Sequence, residues 1–134
     1  MKTRQMLTAE DVKKIAAAAE AEALANKWAV TIAIADDGGH LLGLQRLDGA
    51  PPISAHIAPA KARAAALGQR ESKVYEDTVN NGRTSFLSAP FDGMLEGGVP
   101  IIVDGVTIGS VGVSGVKSNE DAQIAKAGIA ALGL

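Results

Sequence analysis

The sequence GGVPIIVDGVTIGSVGVSG, at residues 97–115, predicts a β-hairpin from which the rest of the architecture can be worked out. A β-branched run from Val99 to Val103 precedes Asp104-Gly105, a dipeptide that tolerates the positive φ angles of a type I′ turn. The return strand is predicted at 106–114. A two-residue loop would pair Val103 with Val106, Ile101 with Ile108 and Val99 with Ser110. The core side of the hairpin is then predicted to carry Val99, Ile101, Val103, Val106 and Ile108.

The second side of this hairpin is unusually apolar for a solvated surface. It is predicted to carry Pro100, Ile102, Thr107, Gly109, Val111 and Val113. Something must cover it, and a contact between copies of the chain around Ile102, Val111 and Val113 is one way to do so. The glycines of the return strand indicate close packing against a backbone neighbour in preference to a ligand.

Composition excludes several classes of function. The chain has 134 residues, no cysteine and a formal net charge of −2. One domain covering residues 1–134 is expected from that length. Without a basic stripe, nucleic acid and anionic membranes are poor partners, and thiolate metal sites and disulfides are excluded. The first residues lack an apolar signal core, so we expect a cytoplasmic protein with no membrane partner.

Helical and strand patterns alternate in pairs along the chain. Helices are predicted at about 9–26, from 53 or 54 to 67, at 72–80 and from 118 onwards, and strands at 30–35 and 41–47. Pro59 leaves two choices: one helix kinked at the proline, which we favour, or a main helix that begins near Ala58. Residues 83–96 are predicted to form a long irregular loop of the functional kind. Paired strands between helices indicate an α+β fold with an antiparallel sheet.

Four segments resemble the GlcG/HbpS-like haem-binding family, also called the haem-degrading domain, which also forms the C-terminal part of PduO-type proteins. They are AIADDGGHLLGLQRLDGAPP at 33–52, KARAAA at 61–66, the hairpin at 97–115 and NEDAQIAKAG at 119–128. The resemblance implies a profilin-like or PAS-like two-layer sandwich with an antiparallel sheet of about five strands and flanking helices. It also implies a homo-oligomer, often an octamer. A PduO-type member of this family places a haem-ligating histidine on its first helix, where this sequence has none.

Candidate site residues are few. His56 follows the Pro51-Pro52 loop, where it could bind haem iron or carry a proton, and Glu96 is the other acid-base candidate. Cationic side chains suited to carboxylate binding are Arg46, Lys61, Arg63 and Arg83, with Arg63 more typical of a solvated face. Gly97-Gly98 could offer backbone N–H groups to an anion, Asp48 could pair with Arg46, and His40 in a turn is a weaker candidate. No nucleophile-base pair or metal constellation meets the usual spacing.

Two functions stay open on the sequence. The first is a small-molecule-binding protein, with haem as the implied cofactor, in an accessory, storage or sensing role in small-organic-acid catabolism. The alternative is an enzyme of the lyase or isomerase type that acts on a small organic acid at a pocket between subunits. The predicted ligand-binding residues for either function are Arg46, Asp48, His56, Lys61, Arg83, Gly97 and Gly98.

Overall fold

The computed structural model describes all 134 residues, which form four α-helices and four strands. The helices are α1 (Ala9–Ala25), α2 (Ser54–Gly68), α3 (Lys73–Asn80) and α4 (Ser118–Ala130). The strands are β1 (Thr31–Asp36), β2 (Leu41–Arg46), β3 (Gly98–Val103) and β4 (Val106–Ser114), and a short 3-10 helix covers Thr84–Ser88. No helix combines the length and apolar character needed to cross a membrane.

One antiparallel sheet with the order β2-β1-β4-β3 forms the centre of the molecule. The α+β prediction is confirmed, but the sheet has four strands where about five were expected. The long segment that follows α3 forms the 3-10 helix and a loop, and adds no strand. Strands β2 and β3 therefore remain as two edges of the sheet.

Helices cover both faces of the sheet, so the molecule has three layers where two were expected. Helices α1 and α4 cover the sheet face that carries large side chains. The core between the helices and this face includes Ile15, Ile32, Ile34, Val99, Ile101, Val111, Val113 and Ile124. Helix α2 lies on the face with small side chains, where Ala58 and Ala62 pack against Ala33 and Ala35. Small residues on both sides let the helix backbone approach the sheet closely.

A β-bulge corrects the predicted hairpin register. Val103 pairs with Val106 as expected, but beyond the bulge Ile101 pairs with Gly109 instead of Ile108. One extra residue on β4 shifts the following side chains to the opposite face. Val111 and Val113 are consequently in the core with 0% exposure, so the proposed contact between copies at these two residues is wrong. Val106, predicted to be in the core, is 43% exposed.

The glycines of β4 serve close packing, as predicted. A Cβ at Gly112 would overlap the carbonyl oxygen of Ala58 in α2, and one at Gly109 would lie 2.5 Å from the carbonyl oxygen of Ala35. The turn prediction is also supported, since Asp104 and Gly105 have φ angles of 49° and 77°. Both positive angles are those that a type I′ turn requires.

Helix α1 begins at a capping box, whereas α2 has no side-chain cap. Thr8 caps α1 by accepting a hydrogen bond from the Asp11 N–H, while the Asp11 carboxylate accepts one from the Thr8 N–H. Helix α2 continues through Pro59, so the single-helix interpretation is confirmed over the later start. Ser54 does not cap that helix: its hydroxyl donates to the Pro51 carbonyl and pairs with Thr31 at 2.7 Å.

Candidate functional site

Lys61 is the predicted ligand-binding residue that the fold places most deeply. It lies in α2, where the side chain crosses toward the end of β4 and is 3% exposed. Its ammonium donates to the Val113 carbonyl at 3.0 Å and to the Asp121 carboxylate at 3.1 Å. Asp121 is 2% exposed, so the two residues form a buried ion pair that joins α2, β4 and α4.

Asp121 occupies the first turn of α4 and holds the chain that leads into it. Its second oxygen accepts a hydrogen bond from the Val116 N–H at 3.2 Å. Burial raises the pKa of this carboxyl above its usual range, although Lys61 and the Val116 N–H act in the opposite direction. The ion pair thus stabilises a carboxylate that burial would otherwise neutralise.

Gly97 and Gly98 pack around Lys61. A Cβ at Gly97 would lie 2.8 Å from the Lys61 ammonium, so only glycine leaves room for this side chain. The Gly98 N–H donates to the Ser72 hydroxyl at 2.8 Å, and that hydroxyl donates to the Leu95 carbonyl. The structure therefore brings Lys61, Gly97 and Gly98 together, with the Gly98 N–H engaged inside the protein.

The remaining predicted residues lie apart from this cluster. Arg46 is exposed at the end of edge strand β2, opposite Thr31, and makes no ion pair with Asp48. His56 is exposed in the first turn of α2, and Glu96 is half-buried in the loop before β3. The Arg83 guanidinium lies 5.3 Å from the centre of the Phe86 ring. No hydrogen bond or ion pair joins these side chains into a catalytic set.

His40 pairs with Asp36 at the turn between β1 and β2. Its Nδ1 lies 3.1 Å from the Asp36 carboxylate, and the ring is 81% exposed. Burial opposes ionisation of Asp36, but hydrogen bonds from the His40 and Gly38 N–H groups and the His40 ring outweigh it and lower its pKa. The contact is part of the local turn structure between β1 and β2.

A furrow between α1 and edge strand β2 was missed by the sequence analysis. It consists of two adjoining grooves of about 300 and 320 Å³ that share Val12 and Lys13. Its lining is largely apolar and includes Leu7, Ala16, Ile32, Ile34 and Leu42. The signal in the sequence was the apolar run Leu41-Leu42-Gly43-Leu44, because an edge strand leaves one long side of such a run without a neighbouring strand.

Metal ligation finds little support in this donor set. No group of three or more His, Asp or Glu side chains is arranged to hold a metal ion. The furrow contains no His, Met or Tyr, so its residues suit an apolar ring but not the iron of a haem. His56, the predicted iron ligand, lies on α2, the helix on the opposite face of the sheet.

Comparison with known proteins places the chain in a family. The model of the family described as haem degrading protein HbpS-like matches residues 7–130. Protein GlcG of Escherichia coli K12 is 57% identical over 114 residues, which cover 85% of each chain.

Two solved structures share the fold closely. The PduOC:heme complex has a TM-score of 0.85 at 28% identity and covers 95% of each chain. An HbpS double mutant from Streptomyces reticuli has a TM-score of 0.89 at 30% identity, with 100% of this chain and 92% of that chain covered. The protein therefore belongs to the HbpS-like haem-degrading-domain family, as its sequence segments indicated.

Proposed function

We propose that the chain is a small-molecule-binding protein whose ligand is flat, largely apolar and of the haem class. The proposal rests on the apolar furrow between α1 and β2, whose lining includes the core residues Ile32 and Ile34. Membership of a family described as haem-degrading, and a structural neighbour solved with heme, support the same class of ligand.

The furrow explains how such a ligand would be held. Val12, Ala16 and Leu42 offer apolar contact to a ring, and burial against them supplies the main free energy of binding. Lys13 lies at the junction of the two grooves, where its ammonium can pair with a carboxylate of the ligand. The residues of the furrow would bind and orient the ligand through its apolar ring.

An accessory, storage or sensing role in small-organic-acid catabolism, in the cytoplasm, completes this proposal. The alternative of a lyase or isomerase requires His56 or Glu96 to act with an arginine or lysine clamp. Within one chain no contact joins those groups, and what favours the binding role is the apolar furrow.

We also propose a homo-oligomer, with an octamer as the expected size. Edge strand β2 and the start of α2 expose Leu41, Leu44 and Ile53, which are 53%, 43% and 61% exposed. Leu41 and Leu44 pair with Ala35 and Ala33, so they lie on the α2 face of the sheet. A contact between copies would cover this apolar edge. Sedimentation of Leu41→Asp should show smaller species than the parent protein.

Haem titration followed by absorbance tests the ligand proposal. We expect saturable binding that Leu42→Glu weakens about tenfold or more, since burial of a leucine is worth roughly 1.5–3 kcal/mol. Leu87→Glu is the matched control, because Leu87 is also exposed but lies in the distant 3-10 helix. Absence of saturable binding would overturn the proposal. If the Soret band is lost only in His56→Ala, haem binds at α2 and not in the furrow, as expected if His56 binds the iron.

A further inference from the structure

Another groove, separate from the two that form the furrow, lies where α1 ends and the chain leaves β2. Its volume is about 370 Å³, and its lining consists of Glu20, Leu24, Lys27, Trp28, Ala29, Leu47 and Asp48. We infer that this groove binds a small organic cation, namely an ammonium group carried on an apolar body. The inference is independent of the ligand proposed for the furrow.

The apolar half of the groove sets the size and type of the ligand body. Leu47 is buried, Trp28 is half-buried against the core, and Leu24 is 61% exposed above them. An aromatic and two aliphatic side chains at one wall suit a ring or a short alkyl chain. The volume lies near the lower end of the range for ligand pockets, about 300–1,000 Å³, so the ligand must be small.

The charges of the groove favour a cation. Glu20 and Asp48 contribute two carboxylates, Lys27 contributes one ammonium, and none of the three side chains forms an ion pair. Two carboxylates without an ion-pair partner outweigh the single ammonium of Lys27.

Trp28 adds a second means of recognition. An ammonium group over the face of an indole is attracted by the ring quadrupole, and tryptophan is the best of the aromatic side chains in this respect. The backbone at this helix end is well defined, because Lys27 adopts a left-handed φ of 59° and the backbone N–H of Trp28 donates to the Ala23 carbonyl. Trp28 and Asp48 line the same groove. Asp48 was predicted from the sequence to bind a ligand, and in this groove its carboxylate would pair with the ammonium group.

The charge on the ligand can be tested with two probes of the same shape. Trp28 is the single tryptophan of the chain, so its fluorescence and its indole N–H signal in NMR both report on this groove. We expect benzylamine to shift both signals and to bind about five- to tenfold more tightly than neutral benzyl alcohol. Asp48→Asn should remove most of that preference and leave the weak binding of benzyl alcohol unchanged.

Asp104→Asn is the matched control, because Asp104 is an exposed carboxylate in the distant hairpin turn and asparagine also tolerates its positive φ. This variant should bind benzylamine as the parent protein does. The inference is overturned by equal binding of the two probes, by no change in either Trp28 signal at saturating benzylamine, or by an undiminished preference in Asp48→Asn. Glu20→Gln provides the same test of the second carboxylate, and circular dichroism shows whether each variant is folded.

Discussion

The buried ion pair between Lys61 and Asp121 yields the most demanding prediction. Replacing Lys61 by methionine keeps most of the side-chain volume and removes the charge. The substitution leaves the Asp121 carboxylate, which is 2% exposed, with only the Val116 N–H as a partner. It also takes one donor away from the Val113 carbonyl.

The expected cost is large for a single substitution. Removing one partner of a buried ion pair typically costs about 3–5 kcal/mol, because the remaining charge stays desolvated. A domain of this size has a total stability of about 5–15 kcal/mol, so Lys61→Met should leave a marginally stable protein. Replacing both residues, as in Lys61→Met with Asp121→Leu, should recover most of the loss, since no charge then remains in the interior.

The pH dependence supplies an internal check. The folded protein raises the pKa of Asp121 above 3.8, so this carboxyl binds a proton more readily in the folded chain than in the unfolded chain. Its contribution to stability therefore falls as the pH rises through the window between the unfolded and folded pKa values. Lys61 lowers the pKa of Asp121, so its loss should raise that pKa further and extend the window to higher pH. The cost of Lys61→Met should consequently be smaller at about pH 5 than at about pH 8.

Urea unfolding of the parent, the single variants and the double variant measures each of these quantities. A cost below about 1 kcal/mol for Lys61→Met would show that Asp121 is not held as a buried charge. A double variant no more stable than Lys61→Met would equally refute the argument, because apolar replacement would then have relieved nothing.

Three further substitutions test the backbone of the fold, each by thermal or urea unfolding. Gly105→Val should cost about 1–2 kcal/mol and Gly105→Asn far less, because the φ of 77° is strained for a β-branched residue while nothing lies within 4 Å of the added Cβ; equal stabilities would contradict the turn assignment. Gly112→Ala should cost about 1–3 kcal/mol or more by forcing α2 away from β4, and a neutral result would mean that the helix does not lie against this glycine. Thr8→Ala should cost about 1 kcal/mol by removing the cap of α1, whereas Thr8→Ser should retain it.

Local signals were sufficient to predict most elements from the sequence. Thr8 and Asp11 mark the start of α1, and Asp104-Gly105 marks the hairpin, because caps and tight turns depend on residues close together in the chain. The apolar second face of the hairpin was also recognised as needing a cover. Its cover and part of its membership were wrong, since α2 packs against the face that carries Gly112, while Val111 and Val113 lie in the core on the other face.

The bulge in β4 depended on packing that the sequence does not display. The two-residue turn fixes the register near Val103 and Val106, but further along the strand the pairing follows the side chains that fit the core. The extra residue turns Val111 and Val113 toward α1 and α4 and leaves Gly112 to meet α2. No local pattern near Ile108 signals this shift.

The sequence by itself determined the helices, the two hairpins, the antiparallel class and the family, because each depends on short-range patterns or on whole segments that can be recognised. The tertiary structure alone decided which charges meet. Lys61 and Asp121 are 60 residues apart and pair only because α2 and α4 approach opposite faces at the same end of β4. Trp28 and Asp48 line one groove only because α1 ends beside β2. Such contacts arise from packing of distant elements, and a sequence contains no direct measure of that distance.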